Sequence, residues 1–222
     1  MSLTHLGIIA DGNRRWAKAQ GLPTIEGHKR GLDAIKKLVG AADKAGIKYL
    51  TFYVFSTENW GRSADEVSYI MKLAETRILK YAKELKENNA RMIILGSKNR
   101  ISPKLASTIE EAEKLTADCT GITVCFCFNY GGEQEIADAA TIAASEGEIT
   151  PETIRKHLYH PEIPNIDMVV RTSGEERLSG FMLWRAAYAE FLFLKKYFPE
   201  MEGEDIKEIL KIYENRNRRF GK

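Results

Sequence analysis

Six short apolar runs alternate with segments of helical periodicity along this chain, and this alternation restricts its fold more than any other feature. A short apolar run is typical of a buried strand, and strands that alternate with helices build a mostly parallel sheet with helices on its faces. The chain has no internal repeat, low-complexity segment or linker. The sequence therefore predicts a single α/β domain over residues 1–222, with about six strands at residues 6–10, 47–55, 91–95, 122–128, 166–170 and 190–194.

The spacing of apolar side chains predicts the helices between these strands. Leu32, Ile35 and Leu38 share one stripe of a helix that opens at His28 and runs to about Ala45. Gly46 ends this helix. The same criterion predicts helices at residues 14–20, 64–88, 102–117, 133–145 and 151–158, and a last one from residue 204.

Composition narrows the class of protein. The 222 residues are 44% hydrophobic and 29% charged, which suits one soluble domain with a full core. A net charge of +2 gives no overall field toward nucleic acid, so we expect no nucleic-acid partner. No apolar run approaches the roughly 20 residues that span a bilayer, and there is no sign of a signal peptide. Three cysteines without paired spacing, Cys119, Cys125 and Cys127, favour core thiols in a reducing cytoplasm over a disulfide or a metal site.

The stretch from Asp11 to Trp16 follows the first predicted strand directly. Asp11, Gly12 and Asn13 favour a turn, and a helix follows at once. A helix N-terminus offers phosphate its free backbone N–H groups and the positive end of the helix dipole. The Asp11 carboxylate would repel phosphate unless Mg²⁺ bridged the two, and Mg²⁺ commonly takes one or two carboxylates plus substrate phosphates. The alternative is an ordinary tight turn in which Asp11 caps the helix.

Polar loops also follow the second and fifth predicted strands, at residues 56–62 and 171–179. In open parallel sheets, ligands bind beyond the carboxyl ends of the strands. These loops carry arginines together with small residues that let backbone approach a ligand. We therefore expect an anion site at this edge of the sheet.

Missing motifs exclude several kinds of phosphate chemistry. The chain has no GxxxxGK[ST] loop and no GxGxxG after its first strand, which argues against a P-loop nucleotidase and a dinucleotide-binding protein. No Asp-x-Asp follows the first strand, so an aspartyl-phosphate mechanism lacks its second carboxylate. Arginine-rich phosphate recognition beside long apolar helices remains.

Several motifs together resemble the cis-prenyltransferase family, in order and over nearly the whole chain. They are DGNRRWA at residues 11–17, GH at 27–28, FSTENW at 55–60, NYGG at 129–132, RTSGE at 171–175 and RFG at 219–221. The resemblance implies an enzyme that condenses isopentenyl diphosphate with an allylic diphosphate, usually farnesyl diphosphate, to a long-chain cis-polyprenyl diphosphate such as the cell-wall carrier undecaprenyl diphosphate. It also implies Mg²⁺ dependence, a homodimer, a hydrophobic tunnel for the growing chain and transient membrane association for product release.

The resemblance also implies roles for individual residues. Asp11 would hold Mg²⁺ and help the allylic diphosphate to leave, Glu190 would be a second metal carboxylate, and Asn59 is assigned to proton removal. Because a neutral amide is a poor base, we expect Asn59 to orient the nucleophile while a diphosphate oxygen takes the proton. Substrate binding is implied for Gly12, Asn13, Arg14, Arg15, Trp16, His28, Ser56, Thr57, Glu58, Trp60, Arg62, Arg171, Arg177, Leu178 and Ser179. The C-terminal segment at residues 219–221 would reach a partner subunit's site.

Some positions depart from the family pattern, and some residues also suit ordinary structural roles. Arg14 and Ser173 stand where glycine is usual, Gly180 where asparagine is usual, and Thr24 where relatives have a substrate-contacting arginine. His28 alone would suit a polar residue near a helix start, and the stripe of the helix at residues 64–88 would suit an ordinary core.

A second hypothesis for the function is a non-catalytic relative that binds and supports an active partner. That hypothesis expects Asp11, Arg171 or Arg177 to be lost, and all three are present. The sequence therefore favours an active enzyme.

Overall fold

The computed structural model describes residues 2–216 of the chain. The C-terminal motif at residues 219–221 lies outside the described residues. Within them lie six strands, and helices separate each successive pair except the last two. In chain order the elements are β1 (His5–Ile9), α1 (Asn13–Ala19), α2 (Thr24–Lys44), β2 (Tyr49–Ser56), α3 (Ala64–Glu87), β3 (Arg91–Leu95), α4 (Pro103–Leu115), β4 (Thr123–Tyr130), α5 (Gly132–Glu146), α6 (Pro151–Lys156), β5 (Met168–Arg171), β6 (Glu190–Phe193) and α7 (Gly203–Glu214), with short 3-10 helices at Thr57–Gly61 and Phe198–Glu200.

The six strands form one parallel sheet in the order β3-β4-β2-β1-β5-β6. Parallel strands need a crossover between them, and helices lie in every one of these connections except the one from β5 to β6. The structure thus confirms the predicted α/β class, the number of strands and the parallel sheet. The extent of the single domain, residues 1–222, stays a prediction.

Two compact units can be distinguished within the chain. The first comprises the described residues up to Phe52, Asn165–Ser179 and the described residues from Arg185 onward. Its strand β1 is buried along its whole length and pairs with β5 from Leu6↔Met168 to Ile9↔Arg171. This register makes the carboxyl ends of β1 and β5 level, so the loops that follow them emerge side by side.

The second unit comprises Tyr53–Pro164 and Gly180–Trp184. Its strands β3 and β4 pair from Arg91↔Thr123 to Leu95↔Cys127, and α3 packs against α4. The apolar stripe of α3 contributes to a core cluster, as its spacing predicts. The buried members of this cluster are Phe55, Val67, Leu105, Ile109 and Phe128.

The start of α2 differs from the prediction. The helix begins at Thr24, one turn earlier than the predicted start at His28, so Gly27 lies inside it. Glycine usually weakens a helix interior. Here Gly27 is required, because a Cβ at this position would lie 2.1 Å from the carbonyl oxygen of Asn13. The glycine lets α2 pack closely against the start of α1.

Two further findings concern the cysteines and the membrane. Cys125 and Cys127 are buried in β4, as predicted for core thiols, whereas Cys119 is only half-buried, and none of the three takes part in a disulfide. Among the described residues, no helix combines the length and the apolar composition needed to cross a membrane.

Candidate active site

The turn after β1 places Asp11 at the carboxyl end of the sheet. The Asp11 N–H group donates to the Ile9 carbonyl at 2.9 Å and to the Thr172 hydroxyl at 3.0 Å, while that hydroxyl donates back to the Asp11 carbonyl. Gly12 precedes α1 with a φ of 104°, which is the left-handed region that favours glycine. A Cβ there would also lie 2.7 Å from Cδ1 of Tyr197. The backbone of this turn is therefore held from two sides.

Asp11 does not cap α1, so the ordinary-turn alternative is not what the structure contains. The N-cap residue is Gly12, and it makes no side-chain cap hydrogen bond. The carboxylate of Asp11 instead contacts two guanidinium groups, Arg171 Nη2 at 2.8 Å and Arg15 Nη2 at 3.2 Å. The N-terminal backbone of α1 is left without an acidic side chain in its first turn.

Arg171 is the central cation of this site. It is 4% exposed and comes from the last position of β5. Its Nη1 donates to the carbonyl of Arg177 at 2.5 Å and to the hydroxyl of Ser179 at 2.9 Å, and its Nη2 donates to Asp11. Its Nε atom is buried and has no hydrogen-bond partner among the described residues. The side chain of Arg171 thus holds the loop after β5 in place and still has N–H groups available to donate hydrogen bonds.

Arg15 contacts the same loop from α1. Its Nη1 lies 2.8 Å from Glu175 Oε1, and its Nη2 donates to the Ser173 hydroxyl. The guanidinium is also 6.0 Å from the ring centroid of Tyr197. The exposed side chain of Arg177 pairs with the other oxygen of Glu175. One carboxylate, Glu175, therefore bridges the two arginines.

The charges in this cluster set the ionisation of Asp11. Burial raises the pKa of the Asp11 carboxyl, but the hydrogen bond and positive charge of Arg171, together with those of Arg15, outweigh it. The net pKa lies below the usual value, so the carboxylate is ionised at neutral pH. The guanidinium groups of Arg15, Arg171 and Arg177 exceed the carboxylates of Asp11 and Glu175 by one positive charge, which suits an anionic ligand.

The start of α1 packs against α2 through glycines. A Cβ at Gly31 would lie 2.7 Å from Oδ1 of Asn13, and Gly27 faces the Asn13 backbone. The Oδ1 atom of Asn13 is buried and has no hydrogen-bond partner among the described residues. This packing keeps Asn13 at the first position of α1, directly after the Gly12 turn.

The remaining predicted residues of the first unit vary in exposure. Arg14 is exposed, whereas Trp16 and His28 are half-buried, the latter on α2. Leu178 is half-buried between Arg177 and Ser179 in the loop that Arg171 holds. The structure therefore brings Asp11, Arg15 and the loop at residues 171–179 together, and it places Arg14 at the surface.

The loop at residues 56–62 lies in the second unit, at the carboxyl end of β2. The Ser56 N–H group donates to Asn59 Oδ1 at 3.2 Å, and the Thr57 hydroxyl donates to Glu58 at 3.0 Å. Trp60 Nε1 donates to Asn129 Oδ1 at 2.7 Å. Arg62 lies 2.9 Å from Glu66, a pair one helical turn apart. Hydrogen bonds thus order residues 56–59 internally, and Trp60 and Arg62 join the loop to Asn129 and Glu66.

Glu190 lies at the other end of the sheet from Asp11. It is the first residue of β6 and pairs with Met168, which in turn pairs with Leu6. With a rise of about 3.3 Å per residue and a spacing of about 4.8 Å between strands, the Cα atom of Glu190 is about 14 Å from that of Ile9. Mg²⁺ ligands lie about 2.1 Å from the ion. The two carboxylates of one chain are therefore too far apart to share one ion.

The donor set at Asp11 fits a cation that is held mainly by its substrate. An ionised carboxylate offers about four lone-pair sites, and the two guanidinium contacts of Asp11 leave acceptor capacity on both oxygens. Within residues 2–216, no group of three or more His, Cys, Asp or Glu side chains could hold a metal ion. Mg²⁺ is commonly bound by one or two carboxylates together with substrate phosphate oxygens, and Asp11 can supply one such carboxylate. The described residues do not form a site in which protein side chains alone would bind the ion.

Sequence reasoning missed several residues that build the site. Thr172 bonds both backbone groups of Asp11, and Tyr197 covers Gly12 although it lies far along the chain. Glu175 lies in the RTSGE motif, but nothing in the sequence pairs it with Arg15 and Arg177. Except for the Glu175–Arg177 pair, which lies within one loop, these contacts join distant parts of the chain and leave no local signal.

Comparisons with known proteins show the family of this chain. A family model described as "Putative undecaprenyl diphosphate synthase" matches residues 9–221. An isoprenyl transferase of Neisseria meningitidis serogroup B is 45% identical over 220 residues, covering 98% of this chain and 89% of that protein. A ditrans,polycis-undecaprenyl-diphosphate synthase of Vibrio parahaemolyticus, named as specific for (2E,6E)-farnesyl diphosphate, is 43% identical and covers 98% of this chain and 90% of that protein.

A solved structure extends the likeness to three dimensions. The crystal structure of lavandulyl diphosphate synthase from Lavandula x intermedia, in complex with dimethylallyl diphosphate, matches with a TM-score of 0.94 at 33% identity. The match covers 99% of this chain and 98% of that chain. Fold and site together define a prenyltransferase of the cis type. The chain belongs to the undecaprenyl diphosphate synthase family, which confirms the resemblance found in its motifs and makes it an enzyme that transfers prenyl groups.

Proposed function

We propose that this enzyme condenses isopentenyl diphosphate with an allylic diphosphate, preferably farnesyl diphosphate, in a Mg²⁺-dependent reaction that yields a long-chain cis-polyprenyl diphosphate. The product we favour is undecaprenyl diphosphate, the lipid carrier of cell-wall synthesis, released at a membrane surface from a cytoplasmic enzyme. The observation that carries the proposal is the Asp11–Arg171 pair at the level carboxyl ends of β1 and β5.

The substrate class follows from the charge of the site. Each diphosphate carries several negative charges, and guanidinium groups match phosphate oxygens in a bidentate way. Arg171 has five N–H donors and uses three of them on described protein groups, so two remain for a ligand. The Vibrio relative is named as specific for farnesyl diphosphate, and the Lavandula protein was solved with an allylic diphosphate. Both names support a prenyl diphosphate as ligand here.

The chemistry requires stabilisation of a leaving diphosphate. Breaking the allylic C–O bond places positive charge on carbon and negative charge on the diphosphate, and fixed cations that face the developing anion lower this barrier. Arg15 and Arg171 would provide those cations, with the N-terminal N–H groups of α1 beside them. When bound at Asp11, Mg²⁺ would supply further neutralisation of the leaving group. Asp11 would orient that ion, since its low pKa keeps it charged.

Asn59 would act by orientation. Its Oδ1 already accepts the Ser56 N–H group, so the amide presents its N–H groups as donors. A donor can orient a diphosphate oxygen but cannot accept a proton. A diphosphate oxygen is therefore the proposed acceptor of the proton that the condensed product loses.

A second copy of the chain would complete the metal site if Glu190 takes part. Glu190 and Asp11 of one chain lie at opposite ends of the strands, but an edge strand can meet another copy. Tyr188 and Phe191, which flank Glu190, are 75% and 37% exposed. These exposed aromatic side chains support the proposed homodimer.

An apolar tunnel would house the growing chain. Each buried CH₂ group contributes about 0.8 kcal/mol, so a long prenyl product needs an apolar lining. On α3 the side chains of Ile70, Met71, Ala74 and Ile78 are only partly buried against their core cluster, which makes them candidates for one wall of that tunnel.

Incorporation of labelled isopentenyl diphosphate into solvent-extractable lipid tests the proposed function. Purified enzyme receives farnesyl diphosphate with Mg²⁺ or with EDTA, alongside Asp11→Ala and the surface control Asp43→Ala on α2. We expect label only with Mg²⁺, a loss of about 100-fold or more in Asp11→Ala, and wild-type activity in Asp43→Ala. The length of the labelled product identifies the carrier. Folded protein that incorporates no label with any allylic primer would refute the proposal.

A further inference from the structure

We propose that Asn129 is a positioning residue that holds the indole ring of Trp60 in place for the prenyl substrate. The inference rests on the proposed function for the role of Trp60, but the contacts that carry it lie entirely within the second unit. Asn129 follows Phe128 in β4 and is 3% exposed. Asn129 opens the NYGG motif at residues 129–132, but the family resemblance gives it no role.

All hydrogen-bonding groups of the Asn129 side chain are engaged at once. Its Oδ1 accepts the Trp60 Nε1–H group at 2.7 Å, and its Nδ2 donates to the carbonyl groups of Ser97 and Asn99, both at 2.7 Å. An indole nitrogen can only donate and a carbonyl can only accept, so the partners themselves determine which way the amide points. The asparagine carboxamide can accept a hydrogen bond from one donor and donate hydrogen bonds to two acceptors at the same time.

The segment that Asn129 holds also reaches Trp60. Arg100 follows Asn99 directly, and its guanidinium carbon lies 4.4 Å from the Trp60 ring centroid, within the range of a cation–π contact. Phe55 meets the same indole edge-on, with centroids 5.5 Å apart. Asn129 therefore fixes Trp60 directly, by accepting the indole N–H group, and indirectly, by holding the Ser97–Arg100 segment.

This arrangement decides which part of Trp60 remains for a ligand. The single polar atom of the indole is already used by Asn129, while the side chain is only half-buried. A ligand would therefore meet the apolar ring rather than a hydrogen-bond donor. A fixed aromatic ring suits the hydrocarbon part of a prenyl diphosphate and would set where its chain lies.

Backbone geometry supports a specific requirement at this position. Asn129 has a φ of 51°, in the left-handed region that asparagine tolerates better than other side chains. Glycine tolerates the same backbone, so Asn129→Gly removes the amide without adding strain. Asn89 provides a matched control in the same unit, because it has a φ of 54° and its exposed side chain bridges to Thr120.

Tryptophan emission tests the clamp independently of activity. In a Trp16→Phe, Trp184→Phe background, Trp60 is the remaining tryptophan of the chain. We expect Asn129→Gly to shift its emission to longer wavelength and to increase its quenching by acrylamide, while Asn89→Gly leaves both unchanged. An unchanged spectrum in folded Asn129→Gly would refute the clamp.

A double-mutant cycle in the otherwise unaltered chain tests the role in prenyl transfer. The measured quantities are kcat and KM for farnesyl diphosphate with Asn129→Gly, alone and combined with Trp60→Phe. Loss of a buried hydrogen-bond partner predicts that Asn129→Gly lowers kcat/KM about 5- to 100-fold in the presence of Trp60. In the Trp60→Phe background, where the N–H donor is absent, the loss should be smaller than about threefold.

The outcomes separate this inference from the proposed function. Equal losses in both backgrounds, or an equal loss in the Asn89→Gly control, would show that Asn129 acts only on stability and would overturn its positioning role. A wild-type chain that transfers no prenyl group would overturn the proposed function, and the emission experiment would still decide whether Asn129 holds Trp60.

Discussion

The carboxylate of Asp11 accepts a hydrogen bond from the guanidinium of Arg171 at 2.8 Å, although 160 positions separate the two residues. The parallel register of β1 and β5 creates this contact, because Ile9 lies opposite Arg171 and Asp11 is only two residues beyond Ile9. In the proposed function, the pair joins a carboxylate that would bind Mg²⁺ to a guanidinium that would bind phosphate. Its position at the end of two neighbouring strands is the structural basis of the proposed diphosphate site.

Arg171→Lys should destabilise the protein by about 1–3 kcal/mol, because lysine keeps the positive charge but leaves part of the hydrogen-bond network without a donor. Lysine cannot serve the Arg177 carbonyl, the Ser179 hydroxyl and Asp11 at once. Urea unfolding measures the loss. Arg177→Lys is the matched control, since that exposed arginine pairs with Glu175 at the surface and should change stability by less than about 1 kcal/mol. Equal effects of the two substitutions would contradict the central role of Arg171.

Gly27→Ala and Gly40→Ala should change stability in opposite directions, although both lie in α2. A Cβ at Gly27 would meet the Asn13 backbone at 2.1 Å, so α2 and α1 must move apart and both stability and prenyl transfer should fall. Nothing lies within 4 Å of a Cβ at Gly40, so alanine there should stabilise the helix by roughly 0.5–1 kcal/mol. Thermal unfolding compares them, and a stabilising Gly27→Ala would refute the close contact.

His160 should make stability depend on pH near neutrality. A hydrogen bond with Glu113 raises the pKa of His160, burial opposes this, and a second hydrogen bond with Glu162 raises it further. Its Nε2 lies 3.4 Å from Glu113 and its Nδ1 3.2 Å from Glu162, while Arg91 lies 3.6 Å from Glu162. Both ring nitrogens can donate only when the ring is protonated.

The sign of this effect follows from the raised pKa. The stabilisation is fully present below the unfolded pKa of about 6.5 and is lost as pH rises through the folded pKa. His160→Gln should therefore lower the melting temperature more at about pH 6 than at about pH 8.5. The same difference at both pH values would mean that the ring does not titrate in this range.

The elements of the fold could be predicted because their signals are local. Residues 91–95 were predicted as a strand and form β3 as Arg91–Leu95, and the stripe of α3 packs into its core as its spacing indicates. One exception is α2, which was predicted to open at His28 and begins at Thr24. The reason for Gly27 inside this helix, the close approach of Asn13, involves a different helix and leaves no local signal.

Part of the site could also be predicted, because loops that directly follow strands have a local signal in the sequence. Loops after β1 and β5 were expected at one edge of the sheet, and the structure joins Asp11 to Arg171 there. The contacts of Thr172 and Tyr197 with the Asp11–Gly12 turn depend on register and loop paths, which motif reading does not provide. The site roles carried over from the family, including those of Asn59 and Glu190, stay predictions.

The Mg²⁺ dependence of diphosphate binding tests the central claim most directly. Calorimetric titration with inorganic diphosphate would compare wild type and Asp11→Asn, with Mg²⁺ and with EDTA. We predict that Mg²⁺ tightens binding to wild type, and that Asp11→Asn abolishes this gain while binding at least as tightly as wild type in EDTA, because it removes a repelling carboxylate and releases Arg171 and Arg15. If Mg²⁺ tightens binding equally in both proteins, Asp11 does not join the cation to the diphosphate and the account is wrong.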